Sequence, residues 1–280
     1  MTQEERIDLR SEQSRAPEFL LGAALSTLKR SFIYQAAFSA ARTLRVRLRS
    51  IIFNRQLPRE DCLNRAFDQQ FGTDTAAEVP LSAAGVYAED VERGFGVYRA
   101  VWASEFHRAM RTLPIDHNNF TFLDYGSGKG KAMLMASDYP FRRILGIEYA
   151  SKLHEIASRN VAVYRSKSQR CFRFEATLGD AISYAPPEEP LVCFFFNPFD
   201  DMTLARVFEN IHESVKRQYR DVYILFVNLR SVRERRHFFD DLKSLVLIQR
   251  DRKFLLYKVS PSPQRQYSSQ RRTMLRKLVS

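Results

Sequence analysis

Residues 122–137 read FLDYGSGKGKAMLMAS. An apolar run ends in the acid Asp124, Gly126, Gly128 and Gly130 follow at alternate positions, and a run rich in alanine, methionine and leucine comes next. Glycine at this density marks a backbone that must turn sharply or that something approaches closely. The order of strand, glycine turn and helix places the loop at the carboxyl end of a strand, where open α/β sheets bind ligands. Two familiar phosphate loops do not fit. A Walker loop, GxxxxGK[ST], needs glycine at 125 and a hydroxyl at 132, where Tyr125 and Ala132 stand. A dinucleotide fingerprint, GxGxxG, needs glycine at 131, which is Lys131.

Outward from this loop, short apolar runs alternate with amphipathic ones. FTFLD (120–124), RILGIE (143–148), FRFEAT (172–177), LVCFFFN (191–197) and VYILFVN (222–228) read as strands. Helices are expected over 129–138, 151–167, 201–218 and 231–241. LVLIQR (245–250) and KFLLYKV (253–259) flank a polar turn and read as a closing hairpin. Strands apolar on both faces imply helices on both sides of the sheet, and β/α alternation implies parallel strands. The expected fold is α/β, a doubly wound, mostly parallel seven-stranded sheet with an antiparallel final strand, plus an N-terminal helical extension. Upstream, residues 58–96 read as loops and short turns, and 97–113 as a helix with Trp102, Phe106 and Met110 on its apolar side. The chain divides into a basic helical extension (1–60), a lid and linker (61–119), a ligand-binding core (120–260) and a basic tail (261–280).

The chain has 280 residues, 45% of them hydrophobic, enough for one large α/β domain with appendages. Its net charge of +12 is concentrated at the ends: residues 1–60 carry +5, residues 261–280 another +5, and the rest only +2. Basic ends suit phosphates or an acidic surface. Leu21, Leu25, Leu28 and Phe32 share a helical face, so the N-terminal helices are also a candidate homo-oligomer contact. Cys62, Cys171 and Cys193 form no CxxC pair, and no HExxH occurs, so no metal site and no disulfide framework are expected. Glu4, Glu5, Asp8 and Glu12 stand where a signal peptide carries basic residues, and the apolar run 19–25 is too short to span a bilayer. The expectation is a cytoplasmic protein with no transmembrane segment.

The motif DYGSGKG, residues 124–130, resembles the first motif of class I, Rossmann-like, S-adenosyl-L-methionine-dependent methyltransferases, [D/E]-x-G-x-G-x-G. The likeness extends over about residues 85–259 and is closest to an uncharacterised bacterial branch. Glu148 ends the second strand, where the family places the acid that holds the ribose hydroxyls. LGDA (178–181) puts Asp180 and Ala181 at the family's adenine site, and NPF (197–199) follows the fourth strand, where the family has its catalytic motif. The resemblance therefore implies S-adenosyl-L-methionine as cofactor. It implies Asp124, Gly126, Ser127, Gly128, Gly130, Glu148, Asp180 and Ala181 as cofactor-binding residues, with Tyr98 packing on the cofactor. Thr73, Asp74 and Thr75 are a further expectation at the methionyl end. The helix after the loop would favour the methionyl carboxylate. Asn197, Pro198 and Phe199 are the implied catalytic set, similar to the [D/N/S]-P-P-[Y/F/W] motif of amino-group methyltransferases but with one proline in place of two. Asn197 also has an ordinary alternative, capping the next helix with Pro198 beginning it.

The acceptor is the open question. A protein or another amine leads. A nucleic acid held by the basic ends is the second reading, although no recognition module accompanies them. A non-catalytic cofactor-binding scaffold is the third.

Overall fold

A computed structural model describes residues 59–86, 96–227, 242 and 244–262. The expectations for the N-terminal helices, for a helix over 231–241 and for the basic tail fall outside the described residues, apart from the few at their margins.

The main sheet has seven strands: β3 (Thr121–Tyr125), β4 (Ile144–Glu148), β5 (Phe174–Leu178), β6 (Leu191–Phe195), β7 (Val222–Val227), β8 (Leu245–Arg250) and β9 (Phe254–Val259). Their spatial order is β5-β4-β3-β6-β7-β9-β8. All neighbours from β5 across to β7 pair in parallel, and β9 pairs antiparallel to both β7 and β8, so β9 alone runs against the rest. β3, β4, β6 and β7 are buried throughout, while the edge strands β5 and β8 are not. Period-two alternation explains the two cores. On β6, Val192 and Phe194 enter one cluster with Phe106, Phe122 and Met133; Leu191, Cys193 and Phe195 enter the other with Tyr125, Leu204 and Phe208.

Helix α3 (Lys131–Ala136) connects β3 to β4, and α4 (Ser151–Val163) connects β4 to β5. The chain then crosses back to place β6 on the other side of β3, before α5 (Asp201–Arg217) leads to β7. The strand order therefore reverses between β3 and β6. Their carboxyl ends open the crevice in which such sheets hold ligands.

Three local expectations are corrected. Residues 59–71 are helical, here α1, not loop. Residues 97–113 are not one helix: β2 (Val97–Tyr98) pairs with β1 (Val79–Pro80), and only α2 (Ala103–Met110) is helical. The periodicity of 97–102 is overridden by a strand pairing that no local pattern reveals. The helix after the glycine loop has six residues, shorter than the expected 129–138.

Candidate active site

The site is built at the switch point. At the end of β3, Asp124 is followed by a loop that hangs from the neighbouring strand: Gly126 N and Ser127 N donate to Ile147 O at 2.9 and 3.0 Å. Gly126 and Gly128 have φ of 74° and 55°, the left-handed region that glycine enters without strain. A Cβ on Gly126 would lie 2.5 Å from Pro198 Cβ, and one on Gly128 would lie 2.3 Å from the Tyr98 ring. What approaches these two glycines is therefore protein. The glycines draw the β6 end and the β2 strand onto the loop, a role beyond the expected close approach of a ligand.

Around this junction lies a cleft with about 1110 Å³ of atom-free space, open solvent included. Asp124, Gly126, Ser127, Gly128 and Glu148 line it from β3 and β4, and Asp180 and Ala181 from the end of β5. Asn197, Pro198 and Phe199 line it from the end of β6, and Tyr98 from β2. Gly130 does not; it caps α3 and backs onto Ala157, whose Cβ is 3.4 Å from where its own would lie.

Glu148 is 8% exposed and braces the loop: Oε2 accepts from Gly128 N at 2.7 Å and Oε1 from Ala150 N at 2.8 Å. Burial raises its pKa, and the backbone N–H groups of Ala150, Gly128 and Tyr149 oppose that shift. A carboxylate has about four acceptor sites, and the three backbone N–H groups leave one for an incoming hydroxyl. Asp124 is 3% exposed, and burial, then the nearby Glu148, raises its pKa well above the usual carboxylate range. Among the described residues no cation neutralises it. It is a carboxyl whose ionised form is stabilised by a cation brought into the cleft. Asp180 Oδ1 accepts from Ile182 N at 2.9 Å in a local turn, leaving the second oxygen to the cleft.

Asn197 differs from all of these. It has φ 50°, the left-handed region, where no other non-glycine is found among the described residues. Its side-chain oxygen is buried and accepts no hydrogen bond among them. It does not cap α5; Asp200 does, accepting from Thr203 N at 2.7 Å. The ordinary alternative for Asn197 is thereby excluded. Backbone strain of this kind, together with an orphaned acceptor, is a signature of functional sites.

The Thr73–Thr75 turn does not line the cleft; its groups are already engaged elsewhere. Asp68 Oδ1 accepts from the Thr73 and Thr75 hydroxyls, both at 2.7 Å. Asp68 Oδ2 accepts from Thr75 N and Ala76 N at 2.8 and 2.7 Å. Asp74 pairs with the buried Lys129 at 2.7 Å, and Asn160 ties Asp74 to Lys129 through their backbone carbonyls at 3.0 and 2.8 Å. This turn supports the glycine loop from behind. Tyr98 is anchored to it, donating to Thr75 O at 2.9 Å. Burial, then Asp68, keeps its phenol pKa well above 10, so it stays a neutral donor. The sequence reading also overlooked Lys131, which lines the cleft 2% exposed. Among the described residues, no group of three or more His, Cys, Asp and Glu is placed to hold a metal. Nor is any helix there long and apolar enough to cross a membrane.

No family model matches the chain, and no curated protein matches it. Among solved structures it is similar to an RNA methyltransferase from Salinibacter ruber in complex with S-adenosyl-L-homocysteine. That likeness is 14% identical, covers 60% of this chain and 97% of that one, and has a TM-score of 0.39. It is similar to a ribosomal protein L11 methylase from Lactobacillus delbrueckii subsp. bulgaricus, at 12% identity over 56% of this chain and 74% of that one, TM-score 0.38. It is also similar to RosA from Streptomyces davawensis, an N,N-8-amino-8-demethyl-D-riboflavin dimethyltransferase, at 14% over 57% and 54%, TM-score 0.42. The strand order and the single reversed strand are the chain's own. The fold itself is an open, mostly parallel seven-stranded α/β sheet with one reversed strand. What that fold does here is argued from the site alone, since one fold hosts many functions.

Proposed function

We propose that the protein is an S-adenosyl-L-methionine-dependent methyltransferase acting on an amine, carried by a protein or another molecule. The observation that carries this reading is Asn197: a strained asparagine with an orphaned amide oxygen, lining the same cleft as two buried carboxyls and a glycine loop.

The cleft's polar groups match the cofactor's own. Asp124 suits its ammonium, the remaining acceptor site of Glu148 suits a ribose hydroxyl, and the second oxygen of Asp180 suits the adenine amino group. Bound there, the cofactor supplies an electrophilic methyl on a sulfonium. An amine in line with that methyl would take it by displacing the thioether sulfur, its proton leaving to solvent; the chain's part is to hold and aim the nitrogen. Asn197 accepts a hydrogen bond from that nitrogen, which fixes the direction of its lone pair. An amide oxygen is not basic at neutral pH, so Asn197 orients the nitrogen and does not hold its proton. Phe199 and the Tyr98 ring present apolar surface beside it and keep water from the line of attack.

The test is a methyl-transfer assay with radiolabelled cofactor on fractionated cell extract, comparing wild type with Asn197→Gly. Label entering an acid-stable acceptor with wild type, and lost with the variant, supports the proposal. Cofactor binding with no transfer to any fraction favours the scaffold reading.

A further inference from the structure

Lys131, the first residue of α3, lines the cleft after the glycine loop. It is 2% exposed, its Nζ has no hydrogen-bond acceptor among the described residues, and that atom lies 3.1 Å from the centroid of the Phe67 ring. The ring is fixed in turn, stacking on Tyr164 with centroids 5.8 Å apart. A lysine in such a place is a buried cation with only a π face for company. The nearest carboxylate on α1, Asp68, is occupied by the hydroxyls of Thr73 and Thr75 and two backbone N–H groups. Lys129 on the loop is paired with Asp74, and Arg99, which also lines the cleft, with Glu78 at 2.7 Å. Lys131 is thus the cation of the cleft that lacks a carboxylate partner among the described residues, while Asp124 is the carboxyl that lacks a cation. The two flank the glycine loop. A zwitterion with its ammonium toward Asp124 would present its carboxylate on the side of Lys131.

We propose that Lys131 is the counter-ion of the cofactor's carboxylate and that it takes up a proton when the carboxylate binds. The proposal rests on the reading of the cleft as a site for S-adenosyl-L-methionine. Burial lowers the Lys131 pKa to about 7, with Asp68 opposing the shift. In the empty cleft the amine is therefore largely neutral at pH 8, and a bound carboxylate restores its charge. The sign follows: affinity falls as pH rises above about 7. The other titratable groups are Asp68 from α1, which acts on Lys131 from behind the loop, Tyr164 behind the Phe67 ring, and Tyr98, Asp124 and Glu148, which line the cleft. The two strand-end carboxyls act with the opposite sign, releasing protons when an ammonium binds.

The experiment is calorimetric titration of S-adenosyl-L-homocysteine into the full chain from pH 6 to 8, in buffers of different ionisation enthalpy. Wild type is compared with Lys131→Met, whose unbranched side chain keeps the contact with Phe67. The ligand's own amine, ordinarily near pKa 8 for an α-amino group, titrates equally with both proteins and cancels in the difference. Wild type is expected to take up nearly one proton more than the variant at pH 8. Its affinity advantage should shrink about tenfold between pH 6 and pH 8. 5′-Methylthioadenosine, which lacks the amino-acid portion, should bind both proteins alike at either pH. Equal proton uptake by the two proteins overturns the assignment, even where the variant folds poorly enough to bind weakly, since wild type alone must show the uptake. Equal loss of 5′-methylthioadenosine binding in the variant also overturns it, because Lys131 would then act through the loop. If S-adenosyl-L-homocysteine does not bind at all, both this proposal and the cofactor reading fail.

Discussion

The two walls of the cleft are built on opposite plans. On the β3–β4 side the loop backbone is held by the chain itself: Glu148 accepts from Gly128 N and Ala150 N, the loop hangs from Ile147 O, and Asp68 and Asn160 secure the turn behind it, with Asp124 and Lys131 left to meet a ligand. On the β6 side, Asn197 sits at φ 50° with an amide oxygen that no group donates to among the described residues. A loop braced in this way keeps its shape before any ligand arrives. A wall with an orphaned acceptor is completed only by an incoming donor, since a buried polar group without a partner costs about 1–3 kcal/mol. In the proposed function the difference separates binding from chemistry, with one wall assigned to the cofactor and the other to the acceptor.

The strongest way to break this comparison is Asn197→Gly. Glycine relieves the left-handed backbone and removes only the amide, so fold and cofactor affinity should survive. Turnover should fall about 100-fold, the scale of one lost orienting or stabilising hydrogen bond. A matching loss of S-adenosyl-L-homocysteine affinity would place Asn197 on the binding wall instead.

Gly128→Ala tests the braced wall next. Its Cβ would meet the Tyr98 ring at 2.3 Å and would hold a non-glycine at φ 55°. The left-handed backbone alone costs roughly 1–2 kcal/mol, and the clash adds to it, so thermal stability should drop by several degrees. Adding Tyr98→Ala should recover the part due to the clash. No recovery in the double variant would show that the ring had moved aside freely.

Glu148→Ala should weaken S-adenosyl-L-homocysteine binding by about 1–3 kcal/mol, as a ribose hydroxyl and the N–H of Gly128 lose an acceptor. Unchanged affinity would remove Glu148 from the binding wall.

The smallest effect is on the acid side of the pH profile. Burial raises the carboxyl pKa values of Asp124 and Glu148, so part of each is protonated at mildly acid pH. An ammonium ligand needs Asp124 ionised. Affinity should therefore rise with pH through that window, by at most about tenfold per unit for one group. Asp124→Asn should flatten that limb, and a limb that persists in the variant belongs to another group.

How much of this was legible in the chain follows from the range of each signal. The β3 strand, its glycine turn and the acid ending β4 are local patterns, and FLDYGSGKG and RILGIE carry them within a few residues. The hairpin of β8 and β9 is equally local. Helix α1 was missed because Phe67 and Phe71 gain their meaning from Tyr164, far along the chain. The β1–β2 pairing was missed because strands of two residues are set by their partner. Thr73 and Thr75 resembled ligand contacts in a polar loop, but Asp68 claims them, and only folding shows that. Lys131 had no visible role, since its burial is produced by α1 crossing above it.

The most direct test of the central claim is calorimetry of S-adenosyl-L-homocysteine with wild type, Glu148→Ala and Asn197→Gly side by side. The two-wall account predicts binding to wild type, equal binding to Asn197→Gly and clearly weaker binding to Glu148→Ala. No binding to wild type, or equal binding to all three, would contradict it.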